Sequence, residues 1–548
     1  MNHVLCGLAA NTALPVELVD RLIPVADADI AENLAGRADL RHEQAVALAS
    51  RIGESAVLLA RRGLLTAADI DPVASPDAAL ALLDEGAGDP EWARRFAADP
   101  DAERRAKLAA CLGLPPAVRE TLAADPDVRV VAELAAWTTA DTAARLARHR
   151  HAEVRRAVAA NEATPPDVLA MLVTGEGLPP AERCLVCDRE ETPFLHDPRC
   201  PRPDCELRSG ASCTGSHEST VLETAELALR NPATPAEAVV RFADHPSTVL
   251  RCLLAVRPDL PPETAVRLAG DPVPGVRAGL AGNPAIDGAL IRALEADRGP
   301  DVRRGLAHNP RVPLDVLSRL AGVVRIGPTL LPRIAAASPL EVRELSRSPN
   351  PAVRMLLAER RDLPAEIRDV LADDPDAKVV KSIAPHPGLS EAQLRRMVER
   401  HGVRVLARVA ANPDAPPALL EDLAAHVPPV RKAFREIARH RNATGPALLA
   451  CLADEQARPI AAGHPSLPPS VVAELLSADD RQVVEAAAAN PSLPPAVMSE
   501  VVPEPRGTQG RRGAPPGRAT AQASPMTRTS TVCLRVPGSG TSTTRRSG

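Results

Sequence analysis

The phrase Asn231-Pro232-Ala233-Thr234-Pro235 decides the fold, because versions of it return along most of the chain. Clear copies begin at Arg257, Asn283, Asn309, Asn412, His464 and Asn490, weaker ones at Ala335, Arg360, His386 and Arg441, upstream ones at Asn11, Arg37, Arg61, Cys111, Trp137 and Asn161, and a degraded one near Gly86. The first residues of these phrases, here called anchors, are mostly 26 residues apart. Such self-similarity at a fixed spacing predicts a repeat protein.

Each unit contains the signals of two short helices. Thr234 can cap a helix, Pro235 suits its first position, and Glu237 completes a capping box. A second helix precedes the next anchor, as in residues 275–281, where the glycines predict a partly 3-10 segment. His residues at anchors are interpreted as turn formers. One unit cannot bury its apolar face alone, so we predict an all-α solenoid of stacked two-helix repeats of 24–26 residues.

The composition agrees with closely packed small helices. Apolar residues make up 45% of the 548, yet there are only four Phe, two Trp and no Tyr. The core must therefore consist of Ala, Leu and Val. This excludes a β-sandwich, whose strands need β-branched and aromatic side chains, and it disfavours nucleic-acid binding by base stacking. The 57 Pro are compatible with helices if they stand at helix starts.

The stretch Val302-Arg303-Arg304-Gly305-Leu306-Ala307-His308-Asn309-Pro310 resembles the leucine-rich repeat variant (LRV) family. The resemblance covers residues 11–500 except for one insertion. It implies a right-handed superhelix of alternating α and 3-10 helices. In some members it also implies a four-iron, four-sulfur cluster bound by cysteines beside the repeats. HEAT repeats are the neighbouring alternative, but their units of roughly 40 residues or more fit the spacing less well.

The insertion lies between Asn161 and Asn231, where the anchors are 70 residues apart and 44 residues are added to one unit. Five of the ten Cys lie there within thirty residues, with His196 and His217 among them: Cys184, Cys187, Cys200, Cys205 and Cys213. A Cys-x-x-Cys pair suits either tetrahedral zinc or one side of an iron–sulfur cluster. The sequence therefore predicts a metal site with these five Cys as candidate ligands. Cys111, Cys252 and Cys451 recur in helical segments and are predicted to be small core residues.

The identity of the metal depends on which cysteines are used. Four Cys in two pairs are typical of structural zinc. The fifth Cys, the Cys200-Pro201 step and the LRV resemblance favour iron–sulfur. We predict a 4Fe–4S cluster, with zinc as the alternative.

Charged residues also follow the repeat. Arg recurs six residues before an anchor, at Arg105, Arg155, Arg251, Arg277, Arg303, Arg354 and Arg458, and Asp twelve residues before an anchor, at Asp99, Asp125, Asp271, Asp297 and Asp374. Two interpretations are open: a basic ridge for nucleic acid, or an Asp–Arg ladder that links one repeat to the next. The matched Asp residues and the net charge of −5 favour the ladder.

Four segments follow from these patterns. Residues 1–175 are predicted to be N-terminal repeats, 176–220 the Cys-rich insertion, 221–502 C-terminal repeats, and 503–548 a basic tail. From residue 505 onward there are eight Arg and no Asp or Glu, and the segment is rich in Gly, Pro, Ser and Thr. Such a segment cannot bury a core, so the tail is predicted to be disordered.

Searches for catalytic motifs find neither a phosphate-binding loop nor a Gly-x-Ser-x-Gly elbow. We therefore predict no catalytic residues and a non-enzymatic scaffold that binds a protein partner, without a small-molecule substrate, nucleic acid or membrane. The alternative is an iron–sulfur redox or metal sensor whose solenoid binds a partner. The apolar run at residues 4–10 is short and no Lys or Arg precedes it, so a cytoplasmic protein is expected.

Overall fold

A computed structural model describes residues 2–197, 199–202, 205 and 207–504. In this part there are 36 α-helices, four short 3-10 helices and one two-stranded sheet. The predicted all-α solenoid is therefore confirmed. Residues 1–503 form one compact unit, so the repeats on either side of the insertion belong to a single body. The predicted disordered tail lies outside the described residues, apart from Pro503 and Glu504.

The helices before the insertion are α1 (Asn2–Ala10), α2 (Val16–Leu22), α3 (Ala28–Ala35), α4 (His42–Arg51), α5 (Gly53–Arg61), α6 (Pro76–Asp84), α7 (Pro90–Ala97), α8 (Ala102–Ala109), α9 (Pro116–Ala123), α10 (Val128–Trp137), α11 (Ala140–Leu146), α12 (Ala152–Ala160) and α13 (Pro166–Thr174). The insertion contains α14 (Leu185–Arg189), β1 (Phe194–Leu195) and β2 (Ser212–Cys213).

The helices after the insertion are α15 (Glu218–Arg230), α16 (Ala236–Val239), α17 (Thr248–Ala255), α18 (Pro262–Ala269), α19 (Pro274–Ala281), α20 (Gly288–Glu295), α21 (Pro300–Ala307), α22 (Leu314–Val323), α23 (Pro332–Ala335), α24 (Pro339–Ser346), α25 (Pro351–Leu357), α26 (Ala365–Ala372), α27 (Ala377–Ile383), α28 (Glu391–His401), α29 (Leu406–Ala410), α30 (Pro417–Ala424), α31 (Arg431–Arg439), α32 (Gly445–Cys451), α33 (Arg458–Ala462), α34 (Pro469–Leu475), α35 (Arg481–Ala488) and α36 (Pro495–Val501). Four 3-10 helices span Ile23–Val25, Ala67–Asp69, Val240–Asp244 and Gly402–Arg404.

The helix before the anchor differs from the expected partly 3-10 segment. The segment around residues 275–281 is the α-helix α19. Pro274 stands at its start, where a missing N–H costs nothing, and Gly275 lies in the first turn. Val276 and Leu280 are both completely buried, and an α-helix, unlike a 3-10 helix, brings residues four apart onto one face. Packing against the neighbouring repeats therefore outweighs the low helix propensity of the glycines.

The anchor side chains join each repeat to the one before it. Buried Asn309 donates its amide hydrogens to the carbonyls of Ala281, at 2.9 Å, and Asn283, at 2.8 Å. Its Oδ1 accepts the N–H of Arg311, which shapes the turn. Other anchors that donate to carbonyls of the preceding repeat are Arg37, Asn161, Arg257, Asn283, Arg360, His386, Asn412, His464 and Asn490. Anchors are thus inter-repeat connectors as well as turn residues.

Two weak anchors fall one residue away from their predicted positions. Arg62 donates to the carbonyl of Ala35, so it fills the position that the sequence suggested for Arg61. His440 donates to the carbonyl of Asn412 at 2.7 Å, so it fills the position assigned to Arg441. The sequence pattern indicated Arg at both positions because an arginine is the anchor residue at position 37. Only the carbonyl that each side chain reaches identifies the anchor.

The Asp–Arg ladder is present. The distances between the paired nitrogen and oxygen atoms are 2.7 Å for Arg105–Asp125, Arg251–Asp271 and Arg277–Asp297, and 2.6 Å for Arg354–Asp374. Each of these Arg side chains also donates to a carbonyl six residues earlier in its own repeat. Arg155 and Arg458 donate to backbone carbonyls, and the Nε of Arg303 is buried without a hydrogen-bond partner.

The stack continues underneath the insertion. Asn231 donates to the carbonyls of Ala159, at 3.2 Å, and Asn161, at 3.0 Å. These are the bonds that other anchors make to the repeat 26 residues earlier, although Asn231 follows Asn161 by 70. Helices α12 and α15 pack together accordingly. The insertion is therefore looped out of one unit and leaves the anchor contacts between the two flanking repeats intact.

The first repeat packs on the last one. Asn11 donates to the carbonyls of Ala488 and Asn490, both at 2.8 Å. Asn490 makes the equivalent bonds to the carbonyls of Ala462 and His464, at 2.7 and 2.9 Å. Helix α1 lies against α35 in the same way that α33 lies against α35 and α19 against α21. The repeats within residues 2–174 and 218–503 thus form a closed ring, a feature that the repeat pattern does not predict. No helix in the described part is long and apolar enough to cross a membrane.

Candidate metal centre

The insertion leaves the stack where α13 ends at Thr174 and returns where α15 begins at Glu218. Strands β1 and β2 pair antiparallel, with Phe194 opposite Cys213. The insertion packs around a small cluster separate from the core of the repeats, made of its own Cys184, Val186, Leu207 and Cys213 together with Ala152 of α12. So few buried side chains cannot offset the entropy of ordering about 40 residues, and segments of this size normally need disulfides or a metal.

Three of the five predicted cysteines meet a histidine. The ligand atoms of Cys184, Cys187, Cys213 and His217 all lie within 4.8 Å of one another, and we call these residues the Cys3His group. His217 Nδ1 is 3.8 Å from Cys187 Sγ and 3.6 Å from Cys213 Sγ. All but the half-buried Cys187 are buried. These four side chains can hold a metal ion.

Local structure brings the thiols together. Helix α14 begins directly after Cys184 and carries Cys187 in its first turn, and the N–H of Cys184 donates to Cys187 Sγ at 3.0 Å. Strand β2 ends at Cys213, whose Sγ accepts the N–H of Gly215 at 3.4 Å. Backbone N–H groups thus fix the positions of two of the three sulfur atoms.

His217 is held in an uncommon backbone conformation. Its φ of 57° lies in the left-handed region, and it is the only non-glycine residue of the described part with a positive φ. Its Nε2 lies 3.1 Å from the carbonyl of Ala181, so the hydrogen belongs on Nε2 and Nδ1 presents a lone pair to the thiols. Ligating histidines usually donate their second N–H to a carbonyl in this way. Backbone strain of this kind is typical of functional sites.

The other two predicted cysteines lie in a second group with His196. The ligand atoms of His196, Cys200 and Cys205 are also within 4.8 Å of one another. His196 is buried, and the two cysteines are half-buried. Hydrogen bonds, first of all the one from the N–H of Arg202, lower the pKa of Cys200 to about 7. We call these residues the Cys2His group.

The structure thus divides the five predicted ligands between two places and adds a histidine to each. Sequence reasoning noticed both histidines but assigned them no role. The signal that would have found them is spacing, since Cys213 and His217, like His196 and Cys200, are four residues apart. Cys111 and Cys451 are buried among the repeats as predicted, and burial raises the pKa of each thiol to about 12.

The insertion is fastened to the first turn of α12. His151 Nε2 is 2.8 Å from a carboxylate oxygen of Asp188, the residue after Cys187. The N–H of Ala152 donates to the carbonyl of Arg183 at 2.9 Å. Arg155, which has no Asp at its ladder position, donates to the carbonyl of Pro179 at 2.7 Å. The order of the Cys3His group is therefore coupled to one repeat helix.

The Cys3His group has the character of a closed site. Four protein ligands fill a tetrahedron and leave no position for water or substrate, which is typical of structural metal sites. Burial raises the pKa of the Cys184 thiol to about 12 when no cation is present. A bound cation would stabilise the thiolate and offset that penalty.

No protein-family model matches the chain, and no curated protein matches it either.

Proposed function

We propose that the chain is a non-enzymatic cytoplasmic scaffold for protein–protein interaction, whose insertion is held in shape by a structural zinc ion at the Cys3His group. The observation that carries this proposal is the looped-out insertion, which adds a surface containing the Cys3His group to a repeat stack whose anchor contacts continue without it. Membership of the LRV family remains part of the proposal. It is supported by the two-helix unit of this chain, which is the kind of unit that the resemblance implies.

Zinc is preferred because of the ligand separations. A zinc ion has bonds of about 2.3 Å to sulfur and about 2.0 Å to nitrogen, so tetrahedral ligand atoms lie about 3.5–3.8 Å apart. The distances of 3.6 and 3.8 Å from His217 Nδ1 to two sulfurs fit those edges. In a 4Fe–4S cluster each thiolate binds a different iron at the corner of a cube, which spreads the ligands farther apart. The fit therefore supports one ion.

Metal analysis of anaerobically purified protein tests this assignment. We expect a colourless protein that contains zinc but neither iron nor acid-labile sulfide. A brown protein with stoichiometric iron and sulfide would instead support the 4Fe–4S cluster that the residue pattern favours. Substituting Cys213 with Ser should reduce the zinc content, whereas Cys252→Ser, at a half-buried thiol of α17, should not.

The insertion offers an exposed apolar contact for a partner. Leu195 on β1 is 71% exposed, whereas its neighbour Phe194 packs against the core of the insertion. We therefore propose Leu195, an apolar side chain that the insertion exposes to solvent, as a point of contact for the partner. The ladder arginines, by contrast, are paired and at most 18% exposed, which argues against a basic ridge for nucleic acid.

Site-specific photo-crosslinking in cells tests the scaffold function. A photoreactive residue at position 195 should give a discrete crosslinked protein, and chelating the metal should abolish the product. The matched control is position 427, where Val427 is 84% exposed but lies outside the insertion. If both positions give only the same background products, the insertion is not the contact surface.

A metal or redox sensor is the second candidate, and the contacts between the insertion and α12 favour it. Loss of the metal would release Asp188 and Arg183 from the start of α12 and so carry a signal into the stack. Reversible changes in hydrogen exchange of α12 upon metal removal or oxidation, together with altered partner binding, would support sensing. An unchanged α12 would favour the plain scaffold.

A further inference from the structure

The Cys2His group is distinct from the Cys3His group. One metal ion needs all of its ligand atoms within one coordination sphere, and the five cysteines do not meet that condition together. They form two sets, each compact enough for a single ion. Cys200 and Cys205 therefore have no role at the first site and need an explanation of their own.

His196 is oriented as a metal ligand. Its Nδ1 lies 2.8 Å from the carbonyl of Arg208, which places the ring hydrogen on Nδ1. Its Nε2, left with a free lone pair, lies 3.2 Å from Cys205 Sγ. A carbonyl behind the ring and thiols in front of it is the arrangement that fixes the tautomer of a ligating histidine. The same arrangement holds His217 at the first group.

The packing of this part of the insertion gives a second reason. His196 is only 5% exposed, although its neighbour Leu195 points into solvent. A polar ring turned inward beside two thiols gains little apolar burial, while Cys205 only borders the small core. A cation shared by these three side chains would compensate for burying the ring and would hold the segment between the strands against β1.

We propose that the insertion binds two metal ions, the second one coordinated by His196, Cys200 and Cys205. This ion exchanges more readily than the first. Cys200 and Cys205 are half-buried, whereas Cys184 and Cys213 are at most 1% exposed, so a chelator reaches the second ion sooner. It also has two thiolate ligands among these residues instead of three, and thiolates are the stronger zinc ligands.

Metal stoichiometry of the full-length chain tests the proposal. Protein purified in the presence of reductant and zinc should contain two ions per chain. The double variant Cys200→Ser, Cys205→Ser should contain one ion and keep the helical circular-dichroism signal of the wild type. The control Cys252→Ser should contain two.

Cobalt substitution identifies the ligands separately from the stoichiometry. With both sites filled by Co²⁺, the ultraviolet sulfur-to-cobalt band reports five thiolate bonds, and the double variant should retain three fifths of its intensity. His196→Asn should lose the second ion while all thiols remain. Release to a colorimetric chelator should show two phases in the wild type and only the slow phase in both variants.

Two results would overturn the proposal. One is a single ion per chain in the wild type that the double variant retains in full. The other is a disulfide between Cys200 and Cys205, found by mass spectrometry in protein kept under reductant. Either outcome would leave the assignment of the Cys3His group untouched.

Discussion

At the scale of the residue, the anchor side chain satisfies three buried polar groups at once. Two amide hydrogens of Asn309 reach carbonyls of the preceding repeat, and its oxygen accepts a backbone N–H. Buried Arg257 makes the two inter-repeat bonds with its guanidinium, which donates to the carbonyls of Leu229 and Asn231. The position therefore requires a buried donor and not asparagine itself, which explains why Asn, Arg and His alternate there.

His386 makes one of these contacts sensitive to acid. It is 1% exposed, donates from Nε2 to the carbonyl of Ala358 at 2.7 Å, and burial lowers its pKa to about 4. Between about pH 6.5 and 4 the unfolded chain binds a proton that the native chain does not. Stability is therefore complete above pH 6.5 and declines as the pH falls, by up to roughly 3 kcal/mol.

His386→Asn should remove that decline. Asparagine occupies the same position at Asn412 and does not titrate in this range. Thermal unfolding of wild type and variant should diverge progressively from pH 6.5 to 4, with the variant less acid-sensitive. The exposed His308→Asn serves as control and should follow the wild type. Parallel curves for His386→Asn and wild type would mean that His386 is not the responsible group.

At the scale of the element, each of the four Asp–Arg pairs of the ladder ties one repeat to the next. Arg354 forms a two-pronged contact with Asp374 at 2.6 and 3.0 Å and also donates to the carbonyl of Ser348 at 2.7 Å. Asp374 in turn accepts the N–H of Asp376 at the start of α27. The pair thus joins two helices and one loop, unlike a pair on an exposed surface.

Asp374→Ala should cost about 2 kcal/mol of unfolding free energy, because it leaves a largely buried guanidinium and a helix-start N–H without their acceptor. Denaturant unfolding measures the change. The control is Asp315→Ala, which breaks an ion pair with Arg319 in which both side chains are more than half exposed. Exposed pairs contribute little, so the control should match the wild type. Equal losses in both variants would contradict a structural role for the ladder.

We predict that the order of the insertion depends on a bound metal ion, because the insertion has no large core of its own. Removing metal with a chelator should increase hydrogen exchange across residues 184–217, while far-ultraviolet circular dichroism should change little. The reason is that α12 and α15 remain joined through Asn231. Loss of the helical signal upon chelation would show that the repeats also depend on the metal.

At the scale of the whole molecule, closure replaces the capping repeats that an open solenoid needs. The end repeats of an open stack expose the apolar faces that interior repeats bury, and polar caps normally cover them. Here Leu8 and Ala9 of α1 are completely buried, as are Ala487 and Ala488 of α35. Each end of the stack therefore caps the other. This junction is held by non-covalent contacts alone, whereas the other junctions also have a covalent connection.

Gly7→Val should open the ring. A Cβ at Gly7 would lie 2.3 Å from the carbonyl oxygen of Glu485 and 2.6 Å from the Cβ of Ala488, so α1 must move away from α35. We expect a larger radius of gyration in small-angle X-ray scattering and faster hydrogen exchange in both helices. Gly288→Val, where a Cβ meets nothing within 4 Å, is the control. Unchanged scattering of Gly7→Val would mean that the ends are not in contact in solution.

The sequence by itself determined most of what repeats along the chain or joins neighbouring repeats. The anchor phrase predicted the two-helix unit, the 70-residue interval located the insertion, and the matched offsets of Arg and Asp predicted the ladder. These features depend on local helix signals and on contacts between adjacent units, which recur at a fixed spacing. The prediction of a partly 3-10 segment was wrong for α19. The glycines lower the helix propensity there, but the burial of Val276 and Leu280 stabilises the α-helix by more.

Only the tertiary structure decided the sorting of the metal ligands and the closure of the ring. Cys213 joins Cys184 instead of Cys200 because β2 pairs with β1 and returns the chain to α14. Closure depends on small rotations between repeats that add up along the whole stack, so that Asn11 meets Asn490. No single unit contains that sum, and hence no local pattern could reveal it.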